Sequence, residues 1–143
     1  MSARRKPAAA GGKAAALDTR ALVAAARAVR TQAYAPYSKF AVGAAVLDEH
    51  GEIHAGCNVE NVSYGLTVCA ERNAVAAAVA AGARHIRAVA VVARPAVTPC
   101  GACRQVLAEL GDAATPVVIA APIGQSEERL TLGALLPHAF KAF

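Results

Sequence analysis

The chain of 143 residues has no tryptophan, one methionine, three tyrosines and three phenylalanines. So few rings leave no stacking platform for the bases of a single-stranded nucleic acid. No long apolar run is present either. Arg, Asp or Glu interrupts every stretch before it reaches the ~18 residues that a membrane helix needs, so no membrane partner is expected. The opening Met1-Ser2-Ala3-Arg4-Arg5-Lys6-Pro7 lacks the apolar segment of a secretory signal, which points to a reducing, cytoplasmic setting. Acidic residues are missing from the first sixteen positions, where Arg4, Arg5, Lys6 and Lys13 sit. The other eleven basic residues face ten acidic ones, so the net charge of +5 belongs mainly to the tail, and no nucleic-acid partner is expected.

A hydrophobic content of 56% excludes disorder for most of the chain. Residues 1–16 read as a basic Ala/Gly-rich tail and 17–143 as one domain. Asp18 offers a cap to a helix carrying Leu22, Val23, Ala26 and Val29, which should stop before Pro36. Phe40–Leu47 and Glu52–Gly56 flank a Gly51 turn and predict a β-hairpin. Asn58–Gly65 is a polar loop. Val68–Ala81 reads as a helix ended by Gly82, and Ile86–Ala93 as a strand buried on both faces. Thr98-Pro99 supplies a capping hydroxyl and a proline at a first helical position, opening a helix that ends at Gly111. Pro116–Ala121 is a further buried strand, followed by a short strand or turn near Leu130 and a small helix around Gly133–Leu136. This order predicts an α/β fold: a three-layer α/β/α sandwich around a mixed, roughly five-stranded sheet.

Two segments carry chemistry, Cys69-Ala70-Glu71-Arg72 and Pro99-Cys100-Gly101-Ala102-Cys103. Each lies at a strand-to-helix turn, where open sheets place their sites. If the helix starts are neighbours, three thiolates converge, and three protein ligands with one open position is the catalytic zinc arrangement. Two helix N-termini offset the negative charge of the sulfurs and favour the thiolate form. Arg72 can donate hydrogen bonds to them. Glu71, two residues from Cys69, can place a carboxylate over the open position and move protons there. Cys57 has no metal partner at short spacing and reads as a small buried hydrophobe. His50, His54, His85 and His138 show no ligand spacing and read as surface or turn residues. The Asn61-Val62-Ser63 sequon has no signal peptide beside it and reads as chance.

These motifs resemble the zinc-dependent cytidine deaminases. So do Ala35-Pro36-Tyr37-Ser38-Lys39-Phe40, Val42-Gly43-Ala44-Ala45, Gly56-Cys57-Asn58-Val59-Glu60-Asn61 and Ser63-Tyr64-Gly65, and the resemblance covers roughly residues 18–143. It implies one zinc per subunit held by Cys69, Cys100 and Cys103, with Glu71 as the catalytic proton shuttle. It places Asn58 and Glu60 on the ribose hydroxyls, Phe40 beside the base, and backbone groups near Ala70 and Cys100 on the reacting centre. Tyr64 and Phe140 match residues that reach a neighbouring subunit's site in a homotetramer, and Arg72 and Gln105 match positions near the thiolates. The implied reaction, in pyrimidine salvage, is hydrolysis of cytidine and 2′-deoxycytidine to the uridine nucleosides and ammonia, with zinc turning water into hydroxide for attack at C4.

Five other readings stand beside it. A polynucleotide-editing deaminase would share the zinc chemistry but should show a basic groove and aromatics for a displaced base, whereas the body of this chain is near neutral and poor in aromatics. A deaminase of a cytosine nucleoside antibiotic, of the blasticidin S type, would share nearly all these motifs. A nucleotide-level enzyme would need a phosphate pocket and is expected to show His-Ala-Glu in place of Cys69-Ala70-Glu71. A structural-zinc interaction module would need Cys57 as fourth ligand, and a redox Cys-x-x-Cys protein would leave Cys69 and Glu71 without a purpose.

Overall fold

The computed structural model describes residues 17–141, so the tail expectation for residues 1–16 lies outside the described residues. Helix α1 (Arg20–Arg30) precedes a hairpin of β1 (Val42–Asp48) and β2 (Ile53–Cys57), then α2 (Ala70–Ala80), β3 (Ile86–Ala93), α3 (Gly101–Leu110), β4 (Pro116–Ala120), β5 (Glu127–Thr131) and α4 (Leu132–Leu135). The sheet order is β2-β1-β3-β4-β5, with β3 and β4 parallel and every other pair antiparallel. This is the mixed five-stranded sheet that the element order predicts.

Period-two alternation assigns each strand residue to one of two cores. Val42, Ala44 and Val46 of β1 join Val89, Val91, Val117 and Ile119 against Ala70, Ala74 and Ala78 of α2 and Leu107 of α3. On the other face Ala45, Ala88, Ala90, Val92 and Val118 meet Leu22, Val23 and Ala26 of α1. Both faces are therefore covered, which explains why β3 is apolar from Ala88 to Ala93, the exposed Arg87 breaking the run near its start. Among the described residues no helix is long and apolar enough to cross a membrane.

Small residues let the layers close to backbone distance. A Cβ on Gly43 would lie 2.0 Å from the Ala26 carbonyl oxygen of α1, and one on Gly56 would lie 2.4 Å from the Ala74 nitrogen of α2. Gly82 ends α2 with a φ of 102°, in the left-handed region expected of it.

Several element ends differ from expectation. The cap of α1 is Thr19, and Asp18 instead accepts from the Arg20 N–H at 3.0 Å. Strand β1 begins two residues after Phe40, because Lys39 takes a φ of 60° and interrupts the extended chain. Pro99 is not a first helical residue, since α3 starts at Gly101 with Cys100 as its extended cap, and the Thr98 hydroxyl accepts from Arg104. Cys57 is half-buried at the end of β2.

His54 is not a surface or turn residue. It lies in β2 and its Nε2 meets Asp48 Oδ2 at 2.8 Å, with side-chain exposures of 14% and 4%. Asp48 Oδ1 also accepts from the His50 and Glu52 N–H groups across the turn. The His54 contact is the main reason the Asp48 carboxyl is held below its usual range. A depressed carboxyl contributes stability above its unfolded pKa of about 3.9, and the contribution is lost as pH falls through the lower folded value. Replacing His54 by Gln should move that loss to higher pH. Acid titration followed by circular dichroism should show an unfolding midpoint above that of the parent protein, and coincident midpoints would show that the contact contributes nothing.

Candidate active site

The two helix starts do meet. Cys69 caps α2 and Cys100 caps α3, each with extended backbone, and Cys103 follows in the first turn of α3. Their three sulfurs all lie within 4.8 Å of one another. Tetrahedral zinc with Zn–S bonds of about 2.3 Å requires sulfurs roughly 3.8 Å apart, so small rotations of these side chains suffice. Among the described residues this is the one group of three or more side chains able to hold a metal, and Cys57 is not in it. A four-cysteine structural site is thereby excluded for this arrangement.

Donor chemistry fits a cation here. Cys69 is lowered to about 5, first by the Cys103 thiol that donates to it and then by Arg72. Cys103 is pushed up, because it holds the shared proton and is buried. Adjacent sulfurs oppose one another's ionisation, and a divalent metal among them removes that opposition. Arg72 donates from its Nη2 to Cys69 Sγ at 3.8 Å and to the Thr67 carbonyl at 3.3 Å. Its buried Nε has no hydrogen-bond partner.

Glu71, the second residue of α2, is 5% exposed. Burial holds its carboxyl above the usual range, and the charge of Cys69 adds to the shift. Such a group can donate a proton near neutral pH and take one back.

A cavity of about 270 Å³ opens on this cluster. It is lined by Cys69, Ala70, Glu71 and Cys100 from the two helix starts together with Ser38, Phe40, Val42, Asn58, Glu60, Thr67, Val97 and Thr98. Its size is at the small end of the ligand-pocket range of ~300–1,000 Å³. Asn58 is buried, donating from Nδ2 to the Phe40 carbonyl at 2.8 Å and accepting the Val42 N–H on Oδ1 at 2.9 Å. Glu60 accepts from the Tyr37 N–H, the Ser38 N–H and the Ser38 hydroxyl, which hold its carboxyl below the usual range with the hydroxyl contributing most.

The remaining sequence-derived residues stand outside this cavity. Tyr64, 74% exposed, stacks edge-on against Tyr37 at 5.8 Å in a neighbouring hollow that also includes Ser38, Glu60 and Thr67. Phe140 is 61% exposed, and its carbonyl accepts from Gln105 Nε2 at 3.1 Å. That is the bond the Gln105 amide makes, rather than one to a sulfur. Sequence reading overlooks Arg104, which ties the Pro99 carbonyl at 2.7 Å and the Thr98 hydroxyl at 2.9 Å to the Leu135 carbonyl at 2.8 Å. A cation in a first helical turn opposes the helix dipole, and that mismatch is the signal that could have drawn attention to it.

A tri-cysteine centre at paired helix starts, with a buried acid beside it and one cavity serving both, defines a zinc-dependent hydrolase of the deaminase type. Residues 17–120 match the family model described as the cytidine and deoxycytidylate deaminase zinc-binding region. The chain is 50% identical over 126 residues to a cytidine deaminase of Sporosarcina psychrophila, covering 87% of this chain and 92% of that one. It is 50% identical over 129 residues to a cytidine deaminase of Halalkalibacterium halodurans, covering 88% and 96%. Among solved structures, the cytidine deaminase from Burkholderia pseudomallei superposes with a TM-score of 0.80 at 48% identity, covering 87% of this chain and all of that one. The chain belongs to the cytidine and deoxycytidylate deaminase family. Its three-cysteine cluster fits one zinc per subunit.

Metal analysis of the purified chain should give one zinc per subunit. Cys103→Ser should reduce the stoichiometry well below one, and retention of a full equivalent would remove that sulfur from the ligand set.

Proposed function

We propose that the chain is a cytidine deaminase, converting cytidine and 2′-deoxycytidine with water into uridine and 2′-deoxyuridine with release of ammonia. The observation that carries this reading is the buried Glu71 carboxyl beside the three sulfurs, in the same cavity as Phe40, Asn58 and Glu60. Cys69, Cys100 and Cys103 would hold the zinc, which when bound would supply a Lewis acid able to lower the pKa of water toward neutrality. Glu71 donates its proton to N3 of the pyrimidine, which makes C4 more electrophilic. It then takes a proton from the attacking water, hands that proton to the leaving amino group, and takes the second water proton from the C4 hydroxyl as the carbonyl forms, so the carboxyl is restored at each turnover. First-turn N–H groups near Ala70 and Cys100 are donors without intrahelical partners and can hold oxygen at the reacting carbon.

In the same cavity, Asn58 and Glu60 take the sugar hydroxyls, and Phe40 flanks the base. Arg72 draws charge from Cys69 through the bond described above, and Gln105 secures the C-terminal segment near α3. Similarity to proteins named cytidine deaminase favours the ordinary nucleoside over a nucleoside antibiotic as substrate. Residues 17–143 act as one catalytic domain. A cytoplasmic role in pyrimidine salvage is supported by four cysteines that form no disulfide. Assembly as a homotetramer, with Tyr64 and Phe140 of neighbouring subunits completing each site, is supported by the exposure of both rings beyond the cavity of their own chain.

Glu71→Gln should keep its zinc and its fold while losing about 10²–10⁴-fold in kcat, the usual contribution of a proton-transferring group. The ultraviolet change from cytidine to uridine measures this, and near-parent turnover would take Glu71 out of the reaction. Truncation after Pro137 should lower kcat/KM by at least about tenfold, as expected for an aromatic ring worth roughly 1.5–3 kcal/mol when buried, with zinc content unchanged. Unaltered kcat/KM would show that each site is complete within one chain.

A further inference from the structure

One hydroxyl joins the two halves of the cavity wall. Ser38 Oγ donates to Glu60 Oε2 and accepts the Phe40 N–H at 3.0 Å. Lys39, between them, has a φ of 60°, and this fold-back is what lets residue 40 return its N–H to the side chain of residue 38. On its far side Phe40 is held again, its carbonyl accepting from Asn58 Nδ2 at 2.8 Å. A hydrogen-bonded path therefore runs from Glu60 through Ser38 and Phe40 to Asn58.

A carboxylate offers about four lone-pair sites. The Tyr37 and Ser38 N–H groups occupy Oε1 at 2.9 and 3.1 Å, and the Ser38 hydroxyl occupies one site on Oε2. One site on Oε2 remains, enough for a single incoming hydroxyl. Its direction is set by the Ser38 hydroxyl, the group that shares that oxygen.

We propose that Ser38 is a positioning residue for the sugar: its hydroxyl aims the last open acceptor site of Glu60 at one ribose hydroxyl. This inference rests on the reading of Glu60 given under Proposed function. It adds a specificity-determining role to a residue that touches neither the metal cluster nor the proton carrier.

The test uses the full zinc-loaded chain and reads KM and kcat for cytidine together with the constant at which 2′,3′-dideoxycytidine competes. That competitor keeps its 5′ hydroxyl but lacks the 2′ and 3′ ring hydroxyls, the ones that Glu60 is read as holding. Ser38→Ala should raise KM for cytidine by roughly ten- to hundredfold, the range for losing one hydrogen bond to a charged group, with kcat within about twofold. The dideoxycytidine constant should not move, and Ser38→Thr, which keeps the hydroxyl, should restore KM. Ser38→Cys, with a weaker donor at similar volume, should fall between and provides a second variant. Zinc content and melting temperature identify intact protein. A loss in kcat alone, an equal weakening toward both nucleosides, or failure of threonine to rescue would overturn the proposal. Glu60→Gln separates the two layers of inference. If it too treats both nucleosides alike, the sugar reading of Glu60 is wrong; if it discriminates while Ser38→Ala does not, the assignment of Ser38 alone falls.

Discussion

Helix α2 lies against β2 at backbone distance, since Gly56 leaves no room for a Cβ beside the Ala74 nitrogen and the Ala70 carbonyl. Asn73 reinforces the contact by donating to the Cys57 carbonyl at 2.8 Å. These residues sit just before Asn58 and Glu60 on one element and just after Cys69 and Glu71 on the other. The apposition therefore sets the separation between the cavity residues that follow β2 and those at the start of α2. Interiors packed this closely transmit displacement rather than absorb it, so a shift of α2 would move sulfur and carboxyl together.

Electrostatics at the site follow from how charge is shared among neighbours. Three sulfurs within 4.8 Å resist common ionisation, and the opposing influences are two helix N-termini, the Arg72 guanidinium and the cation that the cluster fits. Glu71 receives the opposite treatment. Burial favours its neutral form, whereas Glu60, surrounded by donors, stays ionised. Two carboxyl groups on one cavity are thus driven apart in protonation by their surroundings, which suits one to carry protons and the other to accept from hydroxyls.

Between the cavity-lining residues Glu60 and Thr67 the chain exposes apolar and aromatic side chains that a lone subunit does not cover: Val62, Tyr64 and Leu66 at 77, 74 and 66%. Their carrier is the polar-looking segment after β2, which folds as a single turn of 3₁₀ helix over Tyr64–Leu66. Exposed apolar residues concentrated beside a site agree with the proposed sharing of that site between subunits.

Much of this was open to reading along the chain. Valine- and alanine-rich apolar stretches identify β3 and β4 because strands covered on both faces have little polar side, and Gly82 marks the end of α2 because few other residues take positive φ. Cys69, Cys100 and Cys103 stand out because thiolates at helix starts suit a metal wherever those starts meet. Local signals misplaced the start of α3, where the chain stays extended through Cys100 and Arg104 engages the preceding turn. They also misjudged His54, whose partner Asp48 becomes adjacent only when the hairpin closes. Residue types and spacing decided which elements form and which side chains can do chemistry, since both depend on near neighbours. Tertiary packing alone decided that the three sulfurs converge, that Glu71 is dry, and that Ser38 bridges Phe40 and Glu60, because each joins segments whose proximity is set by strand pairing and helix docking.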